Sequence, residues 1–231
     1  MLISCLMPTK NRRRFIAGSV AMFQAQIAPL DELELIVVED GDEDCSDLLA
    51  EEPRARYFRF VGNIGETRNY AVRQARGEIC MNWDDDDWYG PTRVSTQLQH
   101  MFLSARAVVG LSSAIYYREG DSIGYEYTGD AWYISGFSQC FRRDFALAHP
   151  YPDVAISEDL LFVRKARELG ELSSISGLTC LVARNHEHNT SPRAFWDPAM
   201  REILLATDNW REVPLKRFAA TVFKIQPVML G

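Results

Sequence analysis

Short apolar runs alternate with segments of helical periodicity through the first hundred residues. Phe15, Ile16, Val20 and Phe23 recur at the spacing of one helical face. Strands that alternate with helices in this way predict βαβ units and a largely parallel sheet. The predicted strands cover residues 2–7, 33–38, 57–61 and 79–83, and the predicted helices cover residues 12–26, 46–50 and 66–76.

The pattern is less regular after Pro91. Ser157 stands where a helix N-cap is expected, and Gly170 follows the last apolar position of that helix. One predicted helix follows Pro91 and runs to residue 103, and another covers 158–168. Predicted strands cover 107–113, 115–117 and 178–183. We therefore expect one domain over residues 1–190, with halves at 1–103 and 104–190, followed by a helical extension over 191–231.

Three of the predicted strands end in polar clusters. Residues 8–11 follow the first strand, Glu39 and Asp40 end the second, and residues 84–87, four consecutive aspartates, follow the fourth. Ligands of open α/β sheets bind outside the carboxyl ends of the strands. The three clusters are therefore predicted to converge at one edge of the sheet.

The four aspartates need a physical explanation. Two like charges about 4 Å apart repel by roughly 4 kcal/mol at an effective dielectric constant near 20. Mg²⁺ and Mn²⁺ prefer carboxylate oxygens and often bridge them to phosphates. A solvated acidic turn is the alternative, but the apolar strand before the run and Trp88 and Tyr89 after it are unusual for a surface loop.

Composition limits the classes of partner. The chain has 231 residues, 47% of them hydrophobic, and a formal net charge of -7, which disfavours binding to nucleic acid. The five cysteines form no CxxC pair, and no apolar run approaches the roughly 18 residues of a membrane span. These features predict a cytoplasmic protein, with peripheral attachment to the inner face of the membrane and homo-oligomerisation left open.

The segment from Trp83 to Pro91 resembles the Asp-x-Asp-Asp loop of GT-A glycosyltransferases, in particular family 2. The resemblance implies an α/β GT-A (Rossmann-like) fold, with a mixed, mainly parallel sheet flanked by helices. It places Asp84 and Asp86 at the metal-binding positions, with Mn²⁺ or Mg²⁺ as the cofactor. Asp84 and Asp85 are also implied in donor binding.

Other motifs of that family appear in order. Residues 8–12 resemble its first strand end, residues 39–41 its acidic turn, although Glu39 replaces the commoner Asp, and residues 62–69 its Asn-x-Gly-x-x-x-Arg-Asn segment. From the residues alone, Arg68 offers a planar fork of donors to an anion, and a solvated arginine is the alternative. The donor-binding residues implied by the resemblance are Pro8, Thr9, Asn11, Arg12, Glu39, Asp40 and Arg68.

Glu158 and Asp159 open a predicted helix, whose dipole stabilises an ionised carboxylate. Acidic residues that only stabilise that dipole are the alternative. The pair resembles the Glu-Asp motif that supplies the base in inverting family 2 enzymes, which implies that Asp159 is the base and that Glu158 is its catalytic neighbour or positions the acceptor. His186 resembles the family's third metal ligand, with solvated or outer histidines at 186 and 188 as the alternative.

Together these features predict an inverting, metal-dependent glycosyltransferase that uses a nucleotide-diphosphate sugar. A UDP-sugar is the expected donor, and the acceptor is a glycan, a lipid-linked molecule or another hydroxyl compound. One alternative is a sugar nucleotidyltransferase, although no Gly-rich phosphate loop occurs near the N-terminus. The other is a domain that binds nucleotide-sugar or glycan without turnover.

Overall fold

The parallel part of the sheet is built around its first strand. The computed structural model describes residues 1–28, 32–129, 134–187, 189 and 198–214. The strands are β1 (Ile3–Thr9), β2 (Leu33–Glu39), β3 (Ala55–Arg59), β4 (Ile79–Asn82), β5 (Trp88–Tyr89), β6 (Val108–Arg118), β7 (Ile123–Thr128), β8 (Cys140–Arg142), β9 (Leu172–Ser176), β10 (Leu181–Asn185) and β11 (Trp210–Pro214). The helices are α1 (Arg13–Gln24), α2 (Ile64–Gln74), α3 (Arg93–Ser104), α4 (Arg143–Ala148), α5 (Glu158–Glu168) and α6 (Pro198–Leu205), with short 3₁₀ turns at Ser46–Leu49 and Gly136–Ser138.

The sheet is mixed. Its main path has the order β11-β7-β6-β8-β4-β1-β2-β3, with β5, β9 and β10 attached beside it. Strands β4, β1, β2 and β3 are parallel neighbours, whereas β8 pairs antiparallel with both β4 and β6. The carboxyl ends of β1, β2 and β4 therefore lie at one edge, as the polar clusters predicted.

Two apolar clusters cover the faces of the sheet. Alternate residues of β1 and β2 take opposite faces, so Cys5 packs with the cluster that includes α1 and α3, and Leu6 packs with the cluster that includes α2, α4 and α5. Burial on both faces explains why these strands read as continuous apolar runs. Each fully buried aliphatic side chain contributes roughly 1.5–3 kcal/mol.

Several boundaries differ from the sequence-based expectations. Pro8 does not end β1, because β4 pairs with β1 only as far as Leu6 and β2 alone accompanies β1 to Thr9. The two short strands expected after residue 106 are one strand, β6, with an irregularity between Leu111 and Ser113. Strand β9 was not predicted, and the strand expected at 178–183 is β10.

The C-terminal segment is not purely helical. Helix α6 agrees with the predicted helical extension, but β11 follows it and pairs antiparallel with β7. Trp210 packs on Tyr127 with ring centroids 4.5 Å apart. The expectation of helices alone was wrong here, because pairing with an exposed strand edge cannot be seen in local periodicity.

Candidate active site

The acidic loop, residues 84–87, is fixed by the aromatic residues on either side of it. The rings of Trp83 and Tyr89 lie 4.4 Å apart, and the Trp83 indole donates a hydrogen bond to Ser19 Oγ at 3.0 Å. The Asp84 backbone N–H donates to the Tyr89 hydroxyl at 2.8 Å. Both ends of the loop are therefore anchored in the core.

Three of the four aspartates in the loop are buried, so it is not a solvated turn. Thr9 Oγ1 donates to Asp85 Oδ2 at 2.6 Å, and Arg12 Nη1 lies 3.2 Å from Asp85 Oδ1 and 3.0 Å from Asp86 Oδ2. Burial, and then the neighbouring Asp86, raise the pKa of Asp85 to about 7. Burial disfavours the Arg12 guanidinium, but Asp85 and Asp86 outweigh this and raise the pKa of Arg12.

Asp86 meets two further side chains from the end of β10. His186 Nε2 lies 3.0 Å from Asp86 Oδ2, and Asn189 Nδ2 donates to the same oxygen at 3.1 Å. In the described part of the chain, no three His, Cys, Asp or Glu side chains are already arranged as a metal centre. The oxygen and imidazole donors of Asp84, Asp86 and His186 are nevertheless of the type that Mn²⁺ accepts, and Asp86 and His186 are in contact. His188 lies outside the described residues.

Arg68 joins the acidic loop to α5. Its Nη1 lies 3.3 Å from Asp84 Oδ1 and its Nε lies 3.1 Å from Glu158 Oε1, although these residues are far apart in sequence. A capping box between Asn63 and Glu66 begins α2 one turn earlier. Burial disfavours the Arg68 guanidinium, but Asp84 and Glu158 outweigh this and raise the pKa of Arg68. The guanidinium is therefore not solvated.

Asp159 differs from its neighbour Glu158. Glu158 is buried against Arg68, whereas Asp159 is half-buried and has no Lys or Arg within ion-pair distance among the described residues. Asp159 Oδ1 accepts a hydrogen bond from the Leu160 N–H at 2.8 Å. Ser157 occupies the expected N-cap position, but its φ is 68° and its side chain makes no capping hydrogen bond.

The remaining predicted donor-binding residues surround the end of β2. Glu39 Oε1 accepts the N–H groups of Asn11 at 3.1 Å and Gly41 at 2.6 Å, and burial raises the pKa of Glu39 despite these bonds. Asp40 accepts Gly62 N–H at 2.9 Å and Lys10 Nζ at 3.0 Å. Glu39 therefore organises the turn, and Asp40 lies nearer the surface. Pro8, Thr9, Asn11 and Arg12 lie at the adjacent end of β1, with Pro8 buried in the strand.

A buried polar group behind the site was missed by sequence reasoning. Asn82, Arg93, Gln139 and Tyr151 are all buried and hydrogen-bonded to one another or to backbone carbonyls nearby. The sequence around each residue gives no sign that these four side chains meet. Only the packing of α3 and β8 against β4 brings them together.

The sequence profile of glycosyl transferase family 2 matches residues 4–158, which is more than half of the chain. The chain belongs to this family. The resemblance drawn from the acidic loop and the strand-end motifs is thus confirmed.

Individual relatives align over shorter stretches. The poly(ribitol-phosphate) beta-N-acetylglucosaminyltransferase TarS of Staphylococcus aureus is 30% identical over 95 residues, which are 38% of this chain and 17% of TarS. The chain spans less than half the length of the curated relatives it matches.

Solved structures give the fold of this family member. The crystal structure of S. aureus TarS 1–349 in complex with UDP-GlcNAc has a TM-score of 0.67 at 18% identity, covering 90% of this chain and 68% of that one. Mannosyltransferase PcManGT from Pyrobaculum calidifontis, in complex with GDP-Man and Mn²⁺, has a TM-score of 0.65 at 16% identity, covering 81% and 58%. The predicted GT-A fold is confirmed.

Within the described ranges, no helix combines the length and apolar character needed to cross a bilayer.

Proposed function

We propose that this protein transfers a sugar from a nucleotide-diphosphate sugar to an acceptor hydroxyl, with inversion at the anomeric carbon. The contact that carries the proposal is the double ion pair of Arg68 with Asp84 and Glu158. It joins the acidic loop, which has the chemistry to hold a diphosphate through a cation, to the start of α5, which carries a carboxylate suited to act as a base. These contacts support a single site at which the donor and the base act together.

The donor is proposed to lie across the carboxyl ends of β1, β2 and β4. Asp40 is the carboxylate we assign to the nucleotide base, because it is partly exposed, whereas Glu39 is buried and accepts two backbone N–H groups. TarS and PcManGT were crystallised with UDP-GlcNAc and GDP-Man, which supports a nucleotide-sugar of this class for our protein. A UDP-sugar is our first choice.

A divalent cation is proposed to bind Asp84, Asp86 and His186. When bound, Mn²⁺ or Mg²⁺ would neutralise the charge of the departing nucleoside diphosphate. The mannosyltransferase with Mn²⁺ supports this choice of metal. Arg12 and Arg68, which already contact three of the loop carboxylates, hold these side chains in place while the donor binds.

Asp159 is proposed to remove the proton from the acceptor hydroxyl. The acceptor oxygen then forms a bond to the anomeric carbon while the bond from that carbon to the diphosphate oxygen breaks, and the electron pair of the broken bond leaves with the nucleoside diphosphate. Glu158 cannot share this role, because its carboxylate pairs with a buried guanidinium. A positioned base contributes about 10²–10⁴-fold to the rate.

The test is a screen of nucleotide sugars and acceptors with Mn²⁺, followed by Asp159→Asn. We expect release of nucleoside diphosphate by the natural sequence. In the variant we expect transfer to fall by about 10²–10⁴-fold while Mn²⁺-dependent donor affinity by calorimetry is unchanged. Loss of donor affinity in Asp159→Asn would contradict the assigned role.

The same products separate the alternatives. Pyrophosphate in place of nucleoside diphosphate would indicate a nucleotidyltransferase. Donor binding with Mn²⁺ but no consumption with a broad acceptor panel would indicate a domain that binds without turnover. The acceptor, whether glycan, lipid-linked or another hydroxyl compound, is identified by the same panel.

A further inference from the structure

A short turn, residues 135–139, lies between the acidic loop and α5. Asn82, the last residue of β4, donates a hydrogen bond from its side-chain amide to Gly136 O at 2.7 Å. Gln139 Nε2 donates to the backbone carbonyl of Asp159 at 3.1 Å. This turn therefore contacts both the base of the acidic loop and the residue proposed to remove the acceptor proton.

Gly136 leaves space for the Asp159 side chain. A Cβ atom added at Gly136 would lie 2.3 Å from Asp159 Oδ2 and 2.8 Å from Asp159 Cβ. Such distances are well inside van der Waals contact, so the carboxylate of Asp159 would have to move. Gly136 is not among the residues of positive φ, so an alanine there is compatible with the backbone. The glycine is required by the neighbouring side chain and not by the turn itself.

Arg93 fixes the other side of this turn. It is fully buried, and its Nη2 donates to Asn82 O and, at 2.9 Å, to Phe137 O. Its guanidinium lies 4.0 Å from the centroid of the Tyr89 ring, and Gln97 from the next turn of α3 donates to Ser138 O at 2.7 Å. One side chain thus contacts the strand before the acidic loop, the aromatic residue after it and the 135–139 turn.

Arg93 is buried without a counter-ion. Among the described residues no carboxylate lies within ion-pair distance of it, and its Nη1 has no hydrogen-bond partner. A buried charge without a counter-ion is unfavourable unless other groups stabilise it. Backbone carbonyls and aromatic faces supply part of that stabilisation, and they belong to the segments that carry the proposed site.

We propose that Gly136 and Arg93 are positioning residues, which hold the carboxylate of Asp159 at a fixed position relative to the acidic loop. Gly136 acts on Asp159 directly, and Arg93 acts through the backbone of the 135–139 turn and of Asn82. The inference rests on the proposed function, because it assigns a geometry to the base of that reaction.

Gly136→Ala is the decisive variant. A displacement of about 1 Å at a reacting group can cost on the order of 100-fold in rate. We therefore expect kcat to fall by about 100-fold while KM for the donor and Mn²⁺-dependent donor affinity stay at their natural values. The matched control is Gly77→Ala, whose added Cβ meets Leu2 O and Ser4 at the opposite edge of the sheet. That variant should lose thermal stability without a change in kcat.

Arg93→Lys keeps the charge but shortens the reach to the two carbonyls that share Nη2, and it removes Nε, which donates to Gln97 Oε1 at 3.0 Å. Because Asn82 ends the strand that leads into the acidic loop and Phe137 lies in the 135–139 turn beside Asp159, we expect both a higher donor KM and a lower kcat, unlike the kcat-only effect of Gly136→Ala. Natural values of both constants, with only a lower melting temperature, would make Arg93 a purely structural residue and overturn its part of the proposal.

A measurement without turnover keeps the proposal separate from the proposed function. The ¹³C-carboxyl resonance of Asp159, assigned with Asp159→Asn, should shift in Gly136→Ala and not in Gly77→Ala. If the natural protein transfers no sugar but this resonance shifts, the reaction is wrong and the positioning geometry stands. If Asp159→Asn is inactive while Gly136→Ala has natural kcat and an unshifted resonance, the positioning inference is wrong and the base assignment stands.

Discussion

The two edges of the parallel sheet bury carboxylates in different ways. At the amino edge, Glu34 is well satisfied: its carboxylate accepts from Ser4 Oγ and the Arg76 N–H, each at 2.6 Å, and from Arg56 at 3.4 Å. One buried charge has several donors there. Such an arrangement needs no ligand to explain it.

At the carboxyl edge, carboxylates outnumber the positively charged side chains that contact them. Four aspartates follow one another, Arg12 is shared between Asp85 and Asp86, and Arg68 is shared between Asp84 and Glu158. The local side chains supply fewer positive charges than the carboxylates require, and repulsion between neighbours remains. The contrast supports the proposal that the carboxyl-edge cluster binds a cation, whereas the amino-edge cluster needs none.

The largest effect should come from Asp86→Asn. Removing this charge takes away one proposed metal ligand and the partner of His186. A bound cation stabilises the transition-state charge on the departing diphosphate by several kcal/mol. We therefore expect the rate of transfer to fall on the order of 1,000-fold and Mn²⁺-dependent donor binding to be lost. Steady-state kinetics and calorimetry with Mn²⁺ provide the measurement.

The exposed Asp121 offers a matched control in Asp121→Asn, which should leave both quantities unchanged. Equal donor binding by Asp86→Asn and the natural protein would show that the carboxyl-edge cluster does not hold the metal. The contrast between the two edges would then have no functional meaning.

An intermediate effect concerns stability and pH in EDTA. The pKa of Asp85 is about 7 in the folded protein against an ordinary value of 3.8. The folded state therefore binds this proton more tightly than the unfolded state does, and stability should fall as pH rises from about 4 to about 7. Asp85→Asn has no carboxyl group to titrate at this position and avoids this loss of stability. The difference between its melting temperature and that of the natural protein should therefore grow in favour of the variant as pH rises across that interval. A difference in melting temperature between the two proteins that stays constant from pH 4 to pH 8 would contradict the pKa shift.

Much of the carboxyl edge could be predicted from sequence. Asp84, Asp86 and Glu158 lie in contiguous motifs, and the end of a buried strand fixes where such a motif must lie. The meeting of residues 8–12, 39–41 and 84–87 at one edge follows from the parallel order of β4, β1 and β2. Periodicity and strand order are local or topological properties, and they were sufficient here.

The side-chain partners could not be predicted in the same way. Arg68 was predicted as a donor-binding residue, and its ion pairs with Asp84 and Glu158 were not predicted, because the direction of a long side chain depends on packing across α2 and α5. Arg93 is one of many arginines in the chain, and nothing next to it in sequence indicates that it is fully buried. Strand β11 was missed for a related reason, since its partner β7 is distant in sequence.

The smallest predicted effect belongs to the amino edge. Glu34→Gln keeps the shape of the side chain but turns one of its oxygens into an amide donor facing Arg56, so a buried hydrogen-bond acceptor is lost. We expect the free energy of unfolding in urea to fall by about 1–3 kcal/mol, with kcat and donor KM unchanged. The exposed Glu51 gives the control Glu51→Gln, which should alter neither quantity. A fall in kcat without loss of stability in Glu34→Gln would mean that the amino edge communicates with the site, and the division of the two edges into structural and functional clusters would fail.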